Sequence, residues 1–374
     1  MSASLERKLG QILAKADIEI DGNRSWDIKV NERRFFRRFL SEGSLGLGES
    51  YMDGWWDCDD LEGMIFRIIH SNLVAELDVR KRLSLVWFAL QAKLMNMQSL
   101  ARAFEVGIKH YDLGNDLFKA MLDKRMVYTC AYWKEADNLD DAQLAKLDLV
   151  CKKLGLKSGQ RILDIGCGWG GLLKHAAEEY GASGVGVTVS KEQAEYAREV
   201  CKGLPIEIRL ADYRTVDEKF DHIASICMIE SVGYKNLRTY MEVVRRCLKG
   251  DGLFLLQAIG MNTAQTEGDP WFNKYIFPNA MNPSPAQLTK AFEGLLVLED
   301  WHCFADDYYR TVMAWHQNFI EHWPQLKDKY GERFFRMWHY YLQAGAAGFH
   351  GRLTVLWQIV LSVRGFPEGY VSIR

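Results

Sequence analysis

The sequence predicts an α/β doubly wound domain joined to a smaller, mainly helical N-terminal one, and three observations carry that reading. From about residue 160 onward, short apolar runs of strand type alternate with helical patterns. The first of these runs, RILDIGCG, enters a glycine turn that opens a helix. Residues 1–98, by contrast, keep to the helix period without any such alternation.

In the N-terminal part, Leu5, Leu9, Ile12 and Leu13 recur at helix spacing, as do Ile65, Ile68 and Ile69. Between them, SEGSLGLGESYMDGWW is a glycine-rich turn region ending in paired tryptophans. In NERRFFRRFL, helix geometry puts Arg33, Arg34, Arg37 and Arg38 on one side and Phe35, Phe36 and Phe39 on the other. Such a helix suits an anionic surface, but a core-packed helix with a solvated basic face is the commoner case and the one this stretch alone favours. Residues 99–150 form a mostly helical connection that holds KHYDLGNDLF and MVYTCAYW. Beyond it, LLKHAAEEYG is a helix closed by glycine and SGVGVTVS is a second strand. SKEQAEYAREVCKG follows as a helix with Ser190 at its N-cap and Gln193 at the capping-box position. IEIRLAD, HIASICMI and GLFLLQAI supply three more strands. The expected division is 1–98 for the small domain and 99–374 for the linker and the larger α/β domain.

Composition narrows what such a chain can do. Of 374 residues, 48% are hydrophobic, enough for a substantial core, and 47 Lys plus Arg against 49 Asp plus Glu leave a net charge of -2. That balance offers no general attraction to nucleic acid. No apolar run approaches the ~18 residues of a membrane span, so any membrane association is peripheral. The cysteines Cys58, Cys130, Cys151, Cys167, Cys201, Cys227, Cys247 and Cys303 lack CxxC spacing, and MSASLERKLGQILAKA is charged rather than signal-like. Reduced thiols in a cytosol, and no metal site, are expected.

The motif with most chemical content is LDIGCGWGG. Gly166, Gly168 and Gly170 permit a tight strand-to-helix turn and close backbone approach to a ligand. Gly166, Gly168 and Gly171 also satisfy the dinucleotide GxGxxG, with an additional glycine at Gly170, but the second strand ends in Thr188 and Ser190 where a nicotinamide site carries an acid for the ribose, which disfavours NAD. With Asp164 before it, the turn resembles the first motif of S-adenosylmethionine-dependent methyltransferases. Asp212 and Tyr213, after the third strand, stand where that class places an acid and a ring partner for adenine.

The resemblance extends further. LGLGESYMDGWW, KHYDLGNDLF, TCAYW, LDIGCGWGG, GVTVSKEQ, MIESVGYKN and WFNKYIFPN occur in the order found in bacterial cyclopropane-fatty-acyl-phospholipid synthases, over essentially the whole chain. Mycolic-acid cyclopropane synthases are similar from TCAYW onward. The resemblance implies a Rossmann-like class I methyltransferase domain with S-adenosylmethionine and bicarbonate as cofactors. The implied substrate is a cis-unsaturated phospholipid acyl chain, converted to a cyclopropane. By motif, the cofactor contacts would be Tyr128, Gly166, Gly168, Thr188, Gln193, Asp212, Tyr213 and Ile226. The bicarbonate base would be held by Cys130, Glu230, Gln257, Ile259 and Tyr308. Tyr128, Tyr132 and Trp133 suit a wall bordering a cationic intermediate, since ring faces steady a cation without trapping it, although core packing is the commoner role of such rings. Residues 262–281 would form a lid over an acyl channel, or simply pack. The resemblance also implies peripheral contact with the anionic inner face of a membrane, a cytoplasmic location and a homodimer. Gln257 and Ser231 stand where many relatives have His, so proton shuttling at residue 257 is in doubt. A lipid C-methyltransferase giving a methylene or methyl branch, or a non-catalytic membrane protein that binds S-adenosylmethionine, are the alternatives.

Overall fold

A computed structural model describes residues 2–73, 114–304, 306–366 and 368–374. Residues 99–113 of the expected connection, and the boundary at 98, lie outside that set. The described chain forms two compact units, but they are not two consecutive segments. The first takes the N-terminal residues together with Gly268–Pro278 and Val312–Thr354; the second takes the rest.

In the first unit the helix Arg34–Glu42 buries Phe35, Phe36 and Phe39, as its periodicity requires. Its basic side is not uniform. Arg38 pairs with Glu49 and Asp53 and reaches Glu42, so it belongs to the interior, whereas Arg33 and Arg34 remain exposed. The glycine-rich stretch is helical, Ser44–Met52, and leads into a two-stranded ribbon of β1 (Lys29–Val30) and β2 (Trp56–Asp57). Its glycines permit close packing: a Cβ on Gly48 would stand 2.4 Å from Cδ1 of the fully buried Trp271. That contact explains why part of the expected lid, 262–281, packs within this unit: the helix Pro270–Tyr275 lies against Ser44–Met52. Glu49, on the same helix, accepts hydrogen bonds from Lys274 and from the Tyr275 hydroxyl. Two further helices, Leu61–His70 and Glu332–His350, pack together in the unit, and Arg336 of the latter donates to the carbonyls of Tyr51 and Trp56.

The second unit is built on a seven-stranded sheet. Its strands are β3 (Arg161–Ile165), β4 (Ser183–Thr188), β5 (Ile206–Leu210), β6 (Phe220–Ile226), β7 (Leu248–Met261), β8 (Val297–Phe304) and β9 (Thr354–Ser362). Their order is β5-β4-β3-β6-β7-β9-β8, with β3 to β7 parallel and β8 antiparallel to β9. The chain runs outward from β3 to β5, then returns to β6 on the other side of β3. Ligands of open α/β sheets bind at such a reversal, beyond the carboxyl ends of the strands. Ser190 caps the helix Lys191–Val200 by accepting from the Gln193 N–H at 3.3 Å, as its position suggests.

Candidate active site

The glycine turn leaves β3 and opens the helix Gly171–Tyr180. Gly166 has φ 84°, and a Cβ there would meet the Met228 side chain at 2.8 Å. Gly168, also left-handed at φ 52°, has nothing within 4 Å of that position because it faces open space. The turn therefore needs glycine twice, once for contact with protein and once beside a cavity. Trp169 is tied back by donating Nε1–H to Asn115 Oδ1 at 3.0 Å, which joins the turn to the GNDLF end of the connection.

The cavity beside Gly168 is lined by Tyr128, Gly166, Gly168, Thr188, Gln193, Asp212, Tyr213 and Ile226, all eight residues expected to touch the cofactor. Thr188 donates to Gln193 Oε1 at 2.9 Å, so neutral groups stand where a dinucleotide enzyme has an acid. Asp212 is less open than its position suggests. Arg214 grips it with Nε and Nη2 at 2.8 and 2.7 Å, and its backbone N–H adds a third bond at 2.9 Å. Deeper in the wall, Lys146 donates to Thr129 Oγ1 at 2.9 Å, and Asp164 is buried with no partner for Oδ1 among the described residues. Burial pulls the Lys146 ammonium down to about 8 and pushes the Asp164 carboxyl up to about 7, against its attraction to Lys146.

The five residues expected around bicarbonate belong to the same unit and lie off the cavity lining, next to its edge at Cys227. Cys227 follows β6 with φ 52°, unusual for a side chain other than glycine, and its N–H donates to the Gln257 carbonyl at 2.8 Å. Gln257, fully buried on β7, directs Nε2 at the Cys227 sulfur at 3.7 Å, and Tyr308 hydrogen-bonds the same thiol. Gln358 donates to Gln257 Oε1 at 2.9 Å, which fixes the amide's orientation. Glu230 accepts from the Ile259 N–H, while its Oε2 is buried without a partner among the described residues. The Ile259 N–H is thus engaged by a carboxyl rather than left for an anion. Burial pushes Glu230 up to about 7. Cys130 is buried, its thiol donates to the Ala131 carbonyl at 3.1 Å, and burial holds its pKa well above the ordinary thiol range. That environment suits a packed thiol and opposes a thiolate nucleophile.

The aromatic ring around Cys130 divides. Tyr128 lines the cavity; Tyr132 turns its edge to Phe304 at 5.5 Å, and Trp133 donates Nε1–H to Thr311 at 2.9 Å beneath the Arg310 guanidinium. Two of the three rings expected as a wall are therefore structural partners of β8 and of the helix Asp307–Tyr330, since neither lines the cavity.

The family model for mycolic acid cyclopropane synthetase matches residues 98–359. The chain is 50% identical over 363 residues to the cyclopropane-fatty-acyl-phospholipid synthase of Escherichia coli K12, covering 97% of this chain and 94% of that protein. The chain belongs to the cyclopropane synthase family. Members are S-adenosylmethionine-dependent methyltransferases with this Rossmann-like fold. Among solved structures of the family, the cyclopropane synthase MmaA2 of Mycobacterium tuberculosis superposes with a TM-score of 0.66 at 29% identity, over 69% of this chain and 97% of that one. The mycolic acid cyclopropane synthase CmaA1, solved with S-adenosylhomocysteine, gives 0.65 at 28% identity, over 69% and 97%.

Several residues of this synthase-family site escape a reading of motifs. Arg214, two positions after Asp212, is outside the motif that marks the acid, and its grip on Asp212 shows only in the structure. Lys146, Cys227 and Gln358 carry no motif; their importance comes from burial and from neighbours far away in the chain.

Proposed function

We propose that the chain transfers a methylene group from S-adenosylmethionine to a cis double bond of an unsaturated phospholipid acyl chain, forming a cyclopropane. The observation that carries this reading is the pairing of two sites in one unit: a cavity lined by all eight expected cofactor residues, and a buried carboxyl with an open oxygen beside it. S-adenosylmethionine, when bound, supplies the electrophilic methyl carbon. The glycine turn, Thr188, Gln193 and the Asp212–Arg214 pair shape and orient its site, and Tyr128 closes one side. An alkene is a poor nucleophile, so alkylation depends on alignment and on exclusion of water that would capture the carbocation.

Ring closure then requires loss of one proton. Bicarbonate, when bound, supplies a base that neither Cys130, held as a thiol, nor Gln257, which does not titrate, provides. The donor set fits a small oxyanion. Glu230 presents a buried oxygen without a partner, and its carboxyl remains substantially protonated near neutrality, so it can donate as well as accept. Tyr308 and the Gln257 amide supply further donors. The finer roles of Cys130, Glu230, Gln257, Ile259 and Tyr308 belong to this proposal. No helix among the described residues is long and apolar enough to cross a membrane, and the exposed Arg33 and Arg34 suit contact with anionic lipid headgroups.

The test is incubation of purified protein with labelled S-adenosylmethionine and monounsaturated phospholipid vesicles, with and without bicarbonate. The expected result is bicarbonate-dependent addition of one carbon with loss of the double bond. A product that keeps its unsaturation would establish the branching C-methyltransferase instead.

A further inference from the structure

The charged groups in the cavity wall are of two kinds. Asp212 and Arg214 neutralise each other through a forked pair. Lys146 and Asp164, the other two, do not close on each other in that way. Lys146 comes from the helix Leu139–Lys153 and is 1% exposed; its ammonium donates to the Thr129 hydroxyl. Asp164 comes from β3, is 2% exposed, and keeps Oδ1 without a partner among the described residues. All three side chains line the cavity where β3 runs into the glycine turn.

A buried cation and a buried carboxyl with an unused lone pair are costly unless a ligand completes them. The ligand that does so carries one negative and one positive group close together, as an α-amino acid does. Thr129 adds direction. A hydroxyl oxygen that accepts from an ammonium has its own hydrogen available to an acceptor, and the ammonium's charge polarises that hydrogen. A carboxylate is the acceptor this arrangement favours.

We propose that Lys146, acting through the Thr129 hydroxyl, positions the α-carboxylate of the methyl donor. The inference rests on the cofactor reading of this cavity and adds a positioning residue to it. Lys146 holds the amino-acid end of the donor and takes no part in the bond changes. Its role is to fix the distance from the anchored end to the sulfonium methyl.

The test uses the full chain and two probes, S-adenosylhomocysteine and its decarboxylated analogue, titrated calorimetrically into wild type, Lys146→Met and Thr129→Val. Wild type should bind S-adenosylhomocysteine about 10- to 100-fold more tightly than the analogue, the range of one charge-assisted contact. Lys146→Met should lose most of that preference, with affinity for the analogue unchanged or raised, and Thr129→Val should lose it in the same direction. An equal loss for both probes in Lys146→Met, or a wild type indifferent to the carboxylate, would overturn the proposal. Should Lys146→Met fail to fold, the wild-type comparison and Thr129→Val still decide. A wild type that binds neither probe would overturn the cofactor reading and this inference with it, whereas intact binding without selectivity would overturn the inference alone.

Discussion

Glu49 and Glu230 are both glutamates buried to nearly the same extent, at 5% and 6% exposure, yet their surroundings push them in opposite directions. Burial disfavours the charge on each. At Glu49 that penalty is outweighed by hydrogen bonds from Lys274 and Tyr275 and by the charge of Arg38, which hold its carboxyl below the ordinary range. At Glu230 the compensation is one backbone N–H from Ile259 beyond its own, and the carboxyl rises to about 7. The first acid is complete within the fold; the second keeps a buried oxygen without a partner among the described residues, and its proposed place in the chemistry rests on that difference.

The sharpest way to break the comparison is to remove the structural acid. Glu49→Ala should destabilise the protein by about 3 kcal/mol, the lower end for breaking a buried pair, because Arg38 keeps Asp53 and Lys274 is half exposed. Chemical denaturation checks this. Next in size is Gly48→Ala, whose Cβ would meet the Trp271 ring; overpacking of this kind costs about 1–3 kcal/mol, read as a lower denaturation midpoint.

Glu230→Gln should do the reverse. An acid whose folded-state pKa is raised binds its proton more tightly when folded, so the wild type loses stability as pH climbs from the ordinary 4.5 to about 7. Glutamine mimics the protonated form and escapes that loss. The variant should therefore match wild type near pH 4.5 and melt at a higher temperature than wild type at pH 8. A variant less stable at pH 8 would show Glu230 to be a structural acid like Glu49. The smallest effect is expected at Gln358→Leu, which frees the Gln257 amide: melting should change little, while ring formation falls by about 10-fold, the value of one hydrogen bond in a positioned network. Parallel melting and turnover assays separate the two.

The same contrast marks what could be read from the sequence. Gly166, Gly168, Thr188 and Gln193 were legible because a strand, a turn and a helix start are local events with local residue requirements. The Phe35, Phe36 and Phe39 face was legible for the same reason. The route by which 268–278 and 312–354 join the N-terminal residues was not, because it depends on Trp271 meeting a glycine more than 200 positions earlier. Lys146 reads as one more helical lysine until burial strips its solvent, and Arg38 reads as surface charge until Glu49 and Asp53 surround it. Residues whose meaning comes from desolvation leave no periodic trace.

The most direct test of the division between the two acids is ring-forming turnover by folded Glu230→Gln on monounsaturated phospholipid vesicles, normalised to the amount of folded protein. The expected result is a loss of about 100-fold or more, the scale for removing a group that serves proton transfer, in a protein no less stable than wild type. Turnover equal to wild type would contradict the assignment of Glu230 to the chemistry and return it to the fold.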